Sequence, residues 1–220
     1  MIEVKEIKDK FYFYRKDKII TTPNNSMLVV KNKNHAKSIL DALKKPKNNN
    51  NSSSILNLTF FSCNLDEKEK ILIINKILEI LRCDSILYRC FNDKKLLDLM
   101  NKNLNFHINK FSKKFNTKIK FLDTILSTFN EENHNFREFL KKIDKFRLTV
   151  LYKSGMHTKS SILSYFFMNG EIDYKALYKL SNLEYIYQQR VWGKIDEHKI
   201  IEKDSKIVLK NLSFFLNNLD

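Results

Sequence analysis

The residues in this chain that could do chemistry are few, and their spacing does not suit catalysis. Glycine occurs only at Gly155, Gly170 and Gly193, so no phosphate-cradling loop and no dinucleotide fingerprint can be written. A Gly-x-Ser-x-Gly nucleophile elbow is likewise missing. Cys63, Cys83 and Cys90 are odd in number and lack CxxC spacing, which argues against a disulfide framework or a zinc knuckle. They are expected to be reduced thiols, with Cys83 and Cys90 buried and inert beside apolar neighbours. His35, His107, His134, His157 and His198 never fall three or four apart, the spacing of a helical metal pair. Sequence hides spatial neighbours, so a Cys–His pair assembled by the fold stays open, but no enzyme, cofactor or metal is expected. What remains is recognition chemistry: Glu184, Gln188 and Trp192 follow one another at helical spacing of four, with Tyr185 and Arg190 close by.

Two readings of that row are open. Glu184 has Leu180 and Gln188 one helical turn away and no cation there, so it either pairs with a Lys or Arg on a neighbouring helix or meets a partner protein. Trp192, the single tryptophan, suits an interface anchor as well as a core. The helix carrying them is expected to place Leu177, Leu180, Leu183, Tyr187 and Val191 on one side and Tyr178, Ser181, Tyr185, Gln188 and Trp192 beside them. Gly193 ends it in a left-handed conformation. Glu184 lies at the border of the two rows, where its carboxylate would be partly desolvated.

The elements that must position this row read as strands first and helices after. Residues 2–31 alternate in the manner of strands, with aromatic Phe11–Tyr14, a turn at Arg15–Lys18, β-branched Ile19–Thr22, a turn at Pro23–Ser26 and then Met27–Val30. His35–Lys44 reads as a short helix with Ala36, Ile39, Leu40 and Leu43 on one face. Pro46–Ser54 is polar and of low complexity, so a mobile loop is expected. Ile55–Phe61 fits a strand, an extended segment or a lead-in to helices. Asp66-x-x-Glu69 has the form of a capping box, and the helix it opens to about Leu81 is apolar around most of its surface, which places it at the centre of a bundle.

Further helices are expected over Lys94–Phe115, with Leu96, Leu97, Met100, Leu104, Ile108 and Phe111 or Phe115 inward, and over Phe136–Phe146. Leu148–Asn169 reads as a long helix or a close pair broken near Ser154–Gly155, with Ser160, Ser161 and Ser164 small enough to admit another helix. Lys118–Leu122 is ambiguous, and Asn130–Asn135 is a loop or a helix start. Asp173 caps the helix of the Glu184 row, and Asp204 or Ser205 opens the last helix, with Ile207, Val208, Leu212, Phe215 and Leu216 apolar. The class is α+β, with a small β-rich unit of mixed α/β character over residues 1–62 followed by a larger orthogonal helical bundle over 63–220.

Hydrophobic residues make up 43% of the 220, enough for a core, and no stretch is long and uncharged enough to span a membrane. The opening residues lack both a secretory apolar core and an Arg-rich presequence bias. The chain is therefore expected to stay where it is made, as a monomer, in a bacterial cytoplasm or, alternatively, a mitochondrial matrix. The net charge of +15 invites a nucleic-acid partner. Against it, the excess is mostly lysine, spread along the chain, whereas phosphate and base forks favour arginine. An RNA- or polyanion-binding role is the alternative reading, and no specific nucleic acid is expected.

The pattern Ser181-x-Leu183-Glu184, then Tyr187-Gln188, then Trp192-Gly193 resembles the signature of the ATP synthase assembly chaperones that act on the alpha subunit of the catalytic head, the mitochondrial assembly factor 2 family. The resemblance runs upstream through Leu148-Thr149, Leu151, Thr158, Ser160, Leu163, Gly170 and Asp173. It returns at Asp84, Tyr88-Arg89 and Leu96, and more faintly at Thr22-Pro23 and Leu28–Val30. In the Asp84…Arg89 segment, Asp84 is expected to bond locally, Tyr88 to pack, and Arg89 to pair with a carboxylate. The chain departs from the family pattern at Ala42 or Leu43 and at Leu104–Phe106, where the family carries tryptophan. It departs again at Met100, where the family has glutamine, and at Arg190, where the family residue is acidic. What the resemblance implies is an ATP-independent chaperone that binds unassembled alpha subunit until it pairs with beta. Glu184, Tyr185, Gln188, Arg190 and Trp192 are the candidate contacts.

Overall fold

The computed structural model describes residues 2–45, 51–124 and 133–220. The expected loop at Pro46–Ser54 lies largely outside them, as do the first residues of Asn130–Asn135. The chain begins as an antiparallel sheet of β1 (Ile2–Ile7), β2 (Lys10–Arg15), β3 (Lys18–Ile19) and β4 (Val29–Val30). β1 pairs along the whole of β2, while β3 and β4 take the two ends of the other edge of β2. Two turns set this register. Lys8 and Asp9, then Lys16 and Asp17, hold all four φ angles between 48° and 61°, the mirror-image turn whose twist matches the flanking strands. The inward face supplies Phe13, Leu28 and Val30, which bury against Ala36 and Ile39 of α1 (Lys33–Lys44) and Leu56 and Cys63 of α2 (Ile55–Asn64).

Ile55–Phe61 is thus helical. Ser54 caps it by accepting from the Asn57 amide at 3.3 Å, and apolar side chains on opposite sides of α2 serve two cores. Residue 62, at the expected boundary, falls inside this helix, where the Ser62 hydroxyl donates to Thr149 of the bundle at 2.8 Å. α1 is tied in as well: Ser38 donates to Asn218 and Asn32 to the Asp220 carbonyl at the far end of the chain.

The bundle continues with α3 (Glu67–Arg82), a 3-10 turn (Ser85–Leu87), α4 (Lys94–Phe115), α5 (His134–Lys142), α6 (Lys145–Thr158), α7 (Ser161–Met168), α8 (Tyr174–Ser181), α9 (Leu183–Trp192) and α10 (Asp196–Asn217). The capping box forms as the sequence predicts, Asp66 accepting from the Glu69 amide at 2.8 Å and Glu69 from the Asp66 amide at 3.2 Å. α3 is not the central helix, however. Ile71 and Leu72 on its outer side are exposed, while Ile73, Ile74, Ile77, Leu78 and Leu81 are buried on the inward side. The central helix is α7, in which all eight residues are buried. α4 has the predicted span and buries Leu96, Met100, Leu104, Ile108, Phe111 and Phe115, each contributing about 1.5–3 kcal/mol of transfer free energy.

Three boundaries differ from the sequence reading. The break between α6 and α7 is at Lys159, held at φ 56°, with Ser160 capping α7; Gly155 stays inside α6. A Cβ on Gly155 would meet Ile80 Cδ1 at 3.6 Å and Ser164 Oγ at 3.7 Å, ordinary contact distances, so this glycine marks neither a bend nor an unusually close approach. The Ser161 hydroxyl, donating to the Ile77 carbonyl at 2.7 Å, shows how small side chains let α7 approach α3. α5 stops at Lys142 because Asp144 restarts the chain as the cap of α6. α10 opens at Asp196, eight residues earlier than Asp204, with Asp196 and Glu197 in its positive first turn.

Asp84 and Arg89 brace the bundle. Asp84 is fully buried and accepts from the Ile162 amide at 3.0 Å and the Ile86 amide at 3.2 Å, joining the 3-10 turn to the start of α7. Among the described residues Arg89 pairs with no carboxylate. Its guanidinium donates to the Ile86 and Tyr88 carbonyls at 2.6 and 2.9 Å and to the Asn101 and Asn105 side chains at 3.2 and 2.9 Å, and it lies 4.2 Å from the centre of the Phe121 ring. A ring of neutral acceptors from its own turn and α4 replaces the expected anion, and burial lowers its pKa to about 10.

Candidate partner-binding site

The helix of the Glu184 row is two helices. Asn182, at φ −114° and ψ 25°, interrupts the chain between α8 and α9. Asp173 caps α8 as expected, accepting from the Ala176 amide at 2.7 Å, and Leu177 and Tyr178 bury its inner side. α9 keeps one buried anchor, Leu183, and leans on the start of α4 through the Tyr187 hydroxyl, which donates to Asp93 at 3.4 Å. Gly193 then reverses the chain at φ 92° and ψ 165°, a region open to glycine alone rather than the left-handed helical one.

Because α9 is anchored at its beginning only, its far end projects into solvent. Trp192 is 78% exposed, and Val191, Ile195, Ile200 and Ile201, its neighbours along the chain, are each more than half exposed. Trp192 is therefore no core residue. Glu184 is exposed as well, so the predicted desolvation of its carboxylate does not occur. Its Oε1 accepts from the Gln188 amide at 3.1 Å, and among the described residues it makes no ion pair. The row Glu184, Gln188, Trp192 thus stands together on one side of α9.

Arg190 and Tyr185 point elsewhere. Arg190 lines a groove of about 950 Å³ between α8, α9 and α10. The Tyr185 ring meets His198 edge-on, with centroids 5.2 Å apart. The Tyr185 hydroxyl, the Gln189 side-chain nitrogen and His198 Nδ1 are buried here without a hydrogen-bond partner among the described residues. The groove has an apolar floor of Tyr174, Tyr178, Ile186 and Ile207. Its walls carry Lys175 and Lys179 of α8 and Lys199, Lys203, Lys206 and Lys210 of α10. Glu202, the acidic residue among them, is held by Lys194 and by Lys206 at 2.6 Å, and those two ammonium groups lower its pKa. Burial, reinforced by Glu202, raises the Tyr178 hydroxyl to about 12, and Lys206 sits 4.9 Å from the centre of its ring.

This groove was not found in the sequence, although a signal existed. Lys199, Lys203, Lys206 and Lys210 repeat at spacings of four, three and four, which stacks them on one helical face. With the last helix expected to begin only at Asp204 or Ser205, that face could not be seen.

Cysteine and histidine chemistry does not gather at the site. Cys63 is buried, Cys90 half-buried and Cys83, the residue that ends α3, exposed, contrary to the burial expected of Cys83. Among the described residues no group of three or more His, Cys, Asp or Glu side chains is arranged to hold a metal ion. No described helix is long and apolar enough to cross a membrane.

No protein-family model matches the chain. A curated relative is the mitochondrial protein atp12 of Schizosaccharomyces pombe, 27% identical over 149 residues that take in 64% of this chain and 51% of that protein. The chain thus spans about half the length of the curated relative it matches. Among solved structures, Atp12 from Paracoccus denitrificans superposes with a TM-score of 0.86 at 13% identity, over 100% of this chain and 96% of that one. The Atu1473 protein of Agrobacterium tumefaciens superposes with a TM-score of 0.84 at 17% identity, over 100% of this chain and 84% of that one. The chain is thus similar in sequence, over much of its length, to one Atp12 protein and has the fold of another, proteins of the family its signature resembles.

Proposed function

We propose that this chain is an ATP-independent assembly chaperone of the ATP synthase, and that its client is the unassembled alpha subunit of the catalytic head. A ring subunit awaiting its neighbours exposes the apolar surface that will later be buried, and such surface aggregates. A protein that covers it needs a complementary face, affinity weak enough for displacement by beta, and no reacting group. The observation that carries the reading is the exposed end of α9, where Trp192 and Val191 stand in solvent with Ile195, Ile200 and Ile201 exposed just beyond them in the chain, and with the exposed carboxylate of Glu184 about two turns back along the same helix. A soluble monomer has no internal use for a tryptophan so placed, whereas interfaces concentrate binding energy in such anchors.

In this reading Trp192 is the apolar anchor, Glu184 and Gln188 supply the polar contact beside it, and Arg190 and Tyr185 border the adjoining groove. The chain performs no reaction of its own. It acts wherever alpha subunit is made or delivered, a bacterial cytoplasm or a mitochondrial matrix. Coexpression tests the idea: alpha subunit from the same source should stay soluble with this chain and precipitate without it. Equal solubility in both cases would remove the proposal. The cations of the groove favour a second reading, binding of RNA or another polyanion. Tight, sequence-dependent RNA binding that survives physiological salt would favour it over the first.

A further inference from the structure

We infer that the groove between α8, α9 and α10 is a separate docking site for an acidic amphipathic helix of the client, distinct from the exposed end of α9. The inference rests on the chaperone reading for the identity of the client, and on the groove alone for the chemistry of what binds. Eight cationic side chains surround it against one carboxylate, Glu202, which is already neutralised by Lys194 and Lys206. Lys199 is paired with Asp196 at 2.7 Å. That leaves Lys175, Lys179, Arg190, Lys203 and Lys210 without an ion-pair partner among the described residues, all exposed and all facing one concavity. Like charges gathered this closely repel one another, which disfavours the free state and is relieved when an anion enters.

Charge alone would equally suit a nucleic acid, and the floor decides between them. Tyr174, Tyr178, Ile186 and Ile207 present apolar surface, Ile207 being 39% exposed, to whatever lies between the two lysine rows. A phosphate backbone gains little from burying aliphatic surface. An amphipathic helix gains from both parts, laying Leu or Phe side chains on the floor and its Asp or Glu side chains against the walls. The lysine row from Lys199 to Lys210 is about 17 Å long at 1.5 Å per residue, which matches roughly three turns of such a helix.

The test uses the full chain and a fluorescently labelled amphipathic peptide of glutamate and leucine, about four turns long. Two competitors accompany it, the same peptide with every leucine replaced by serine and an oligouridylate of equal charge. Fluorescence anisotropy should show saturable binding of the first peptide and at least about tenfold weaker binding of the serine peptide and of the RNA. Lys179→Glu with Lys203→Glu should weaken the first peptide by at least about tenfold, as like charges now face it, and leave the melting temperature unchanged because both side chains are exposed. Ile207→Asp should do the same through the floor. Equal binding of the leucine and serine peptides, tighter binding of the RNA, or indifference to the substitutions would each overturn the inference. Failure of the client identity is separable. If the wild-type chain leaves coexpressed alpha subunit insoluble while peptide binding persists and is lost in the variants, the groove stands and the chaperone reading falls. If the wild-type chain holds alpha subunit and the groove variants hold it equally well, the groove inference falls and the chaperone reading stands.

Discussion

Replacing His35 by glutamine should remove a pH dependence that is built into the junction between the sheet unit and the bundle. His35 is buried on α1 with its ring edge-on to Phe146 of α6 and Phe215 of α10, at centroid distances of 5.6 and 5.2 Å. Its Nε2 lies 2.8 Å from the Thr59 hydroxyl, and that hydroxyl already donates its proton to the Ile55 carbonyl at 2.7 Å. Thr59 must therefore accept, which places a proton on Nε2 of the ring. Charging this ring in apolar surroundings is costly, and burial lowers its pKa to about 4 from the ordinary 6.5. Between those values the unfolded chain takes up a proton that the folded chain refuses. Stability is then full above pH 6.5 and falls as the pH drops toward 4, by about 1.4 kcal/mol per unit, or about 2 kcal/mol at pH 5. Glutamine keeps a donor for Thr59 and does not titrate. Urea unfolding of both chains at several pH values between 5 and 7.5 should show the wild type losing about 2 kcal/mol more than His35→Gln over that range. Contributions from other groups cancel in the difference between the two chains. A difference that stays constant from pH 7.5 to pH 5 would refute the argument.

Asp84 should act with the opposite sign. Burial raises its carboxyl to about 7 from 3.8, against the hydrogen bonds from the Ile162 and Ile86 amides and the Ser160 hydroxyl, so the folded chain holds a proton that the unfolded chain has released between those values. Its contribution is full at low pH and declines as the pH rises through that window, so Asp84→Asn should cost more at pH 5 than at pH 8 by urea unfolding. Arg89→Lys should lower stability by at least about 2 kcal/mol despite keeping the charge, because an ammonium cannot reach two carbonyls and two asparagine oxygens at once; thermal unfolding would show it. Lys16-Asp17→Asn-Gly should stabilise the chain by about 0.5–1 kcal/mol, since both positions hold positive φ that these residues adopt more readily, again read by unfolding.

What the sequence made legible followed from periodicity and caps. α4 repeats its apolar residues at three and four over six turns, and its burial matches that row; the capping box at Asp66 marks the start of α3 to the residue. Boundaries failed where an intrinsic signal competed with tertiary packing. Gly155 looks like a break, yet it stays inside α6, held there by the packing of the surrounding helices, and the true break is a lysine, Lys159, that no propensity scale would choose. α3 is apolar on most sides in sequence, but Ile71 and Leu72 have nothing packed over them, a fact set by the positions of the other helices. The candidate site was half legible. The row Glu184, Gln188, Trp192 could be read from spacing, but its exposure depends on the interruption at Asn182 and the reversal at Gly193, which no helical wheel contains. The groove required α8 and α10 to be brought side by side, so its lysines looked dispersed along the chain.

The central claim, that the free end of α9 holds the client, is tested most directly by retention of newly made alpha subunit on immobilised chain. The comparison is between wild type and Glu184→Lys combined with Trp192→Ala. Both side chains are exposed and make no ion pair among the described residues, so the melting temperature should hold to within about 1–2 °C while retained alpha subunit falls to background. Undiminished retention by the variant, or loss of retention only together with a large drop in melting temperature, would contradict the account.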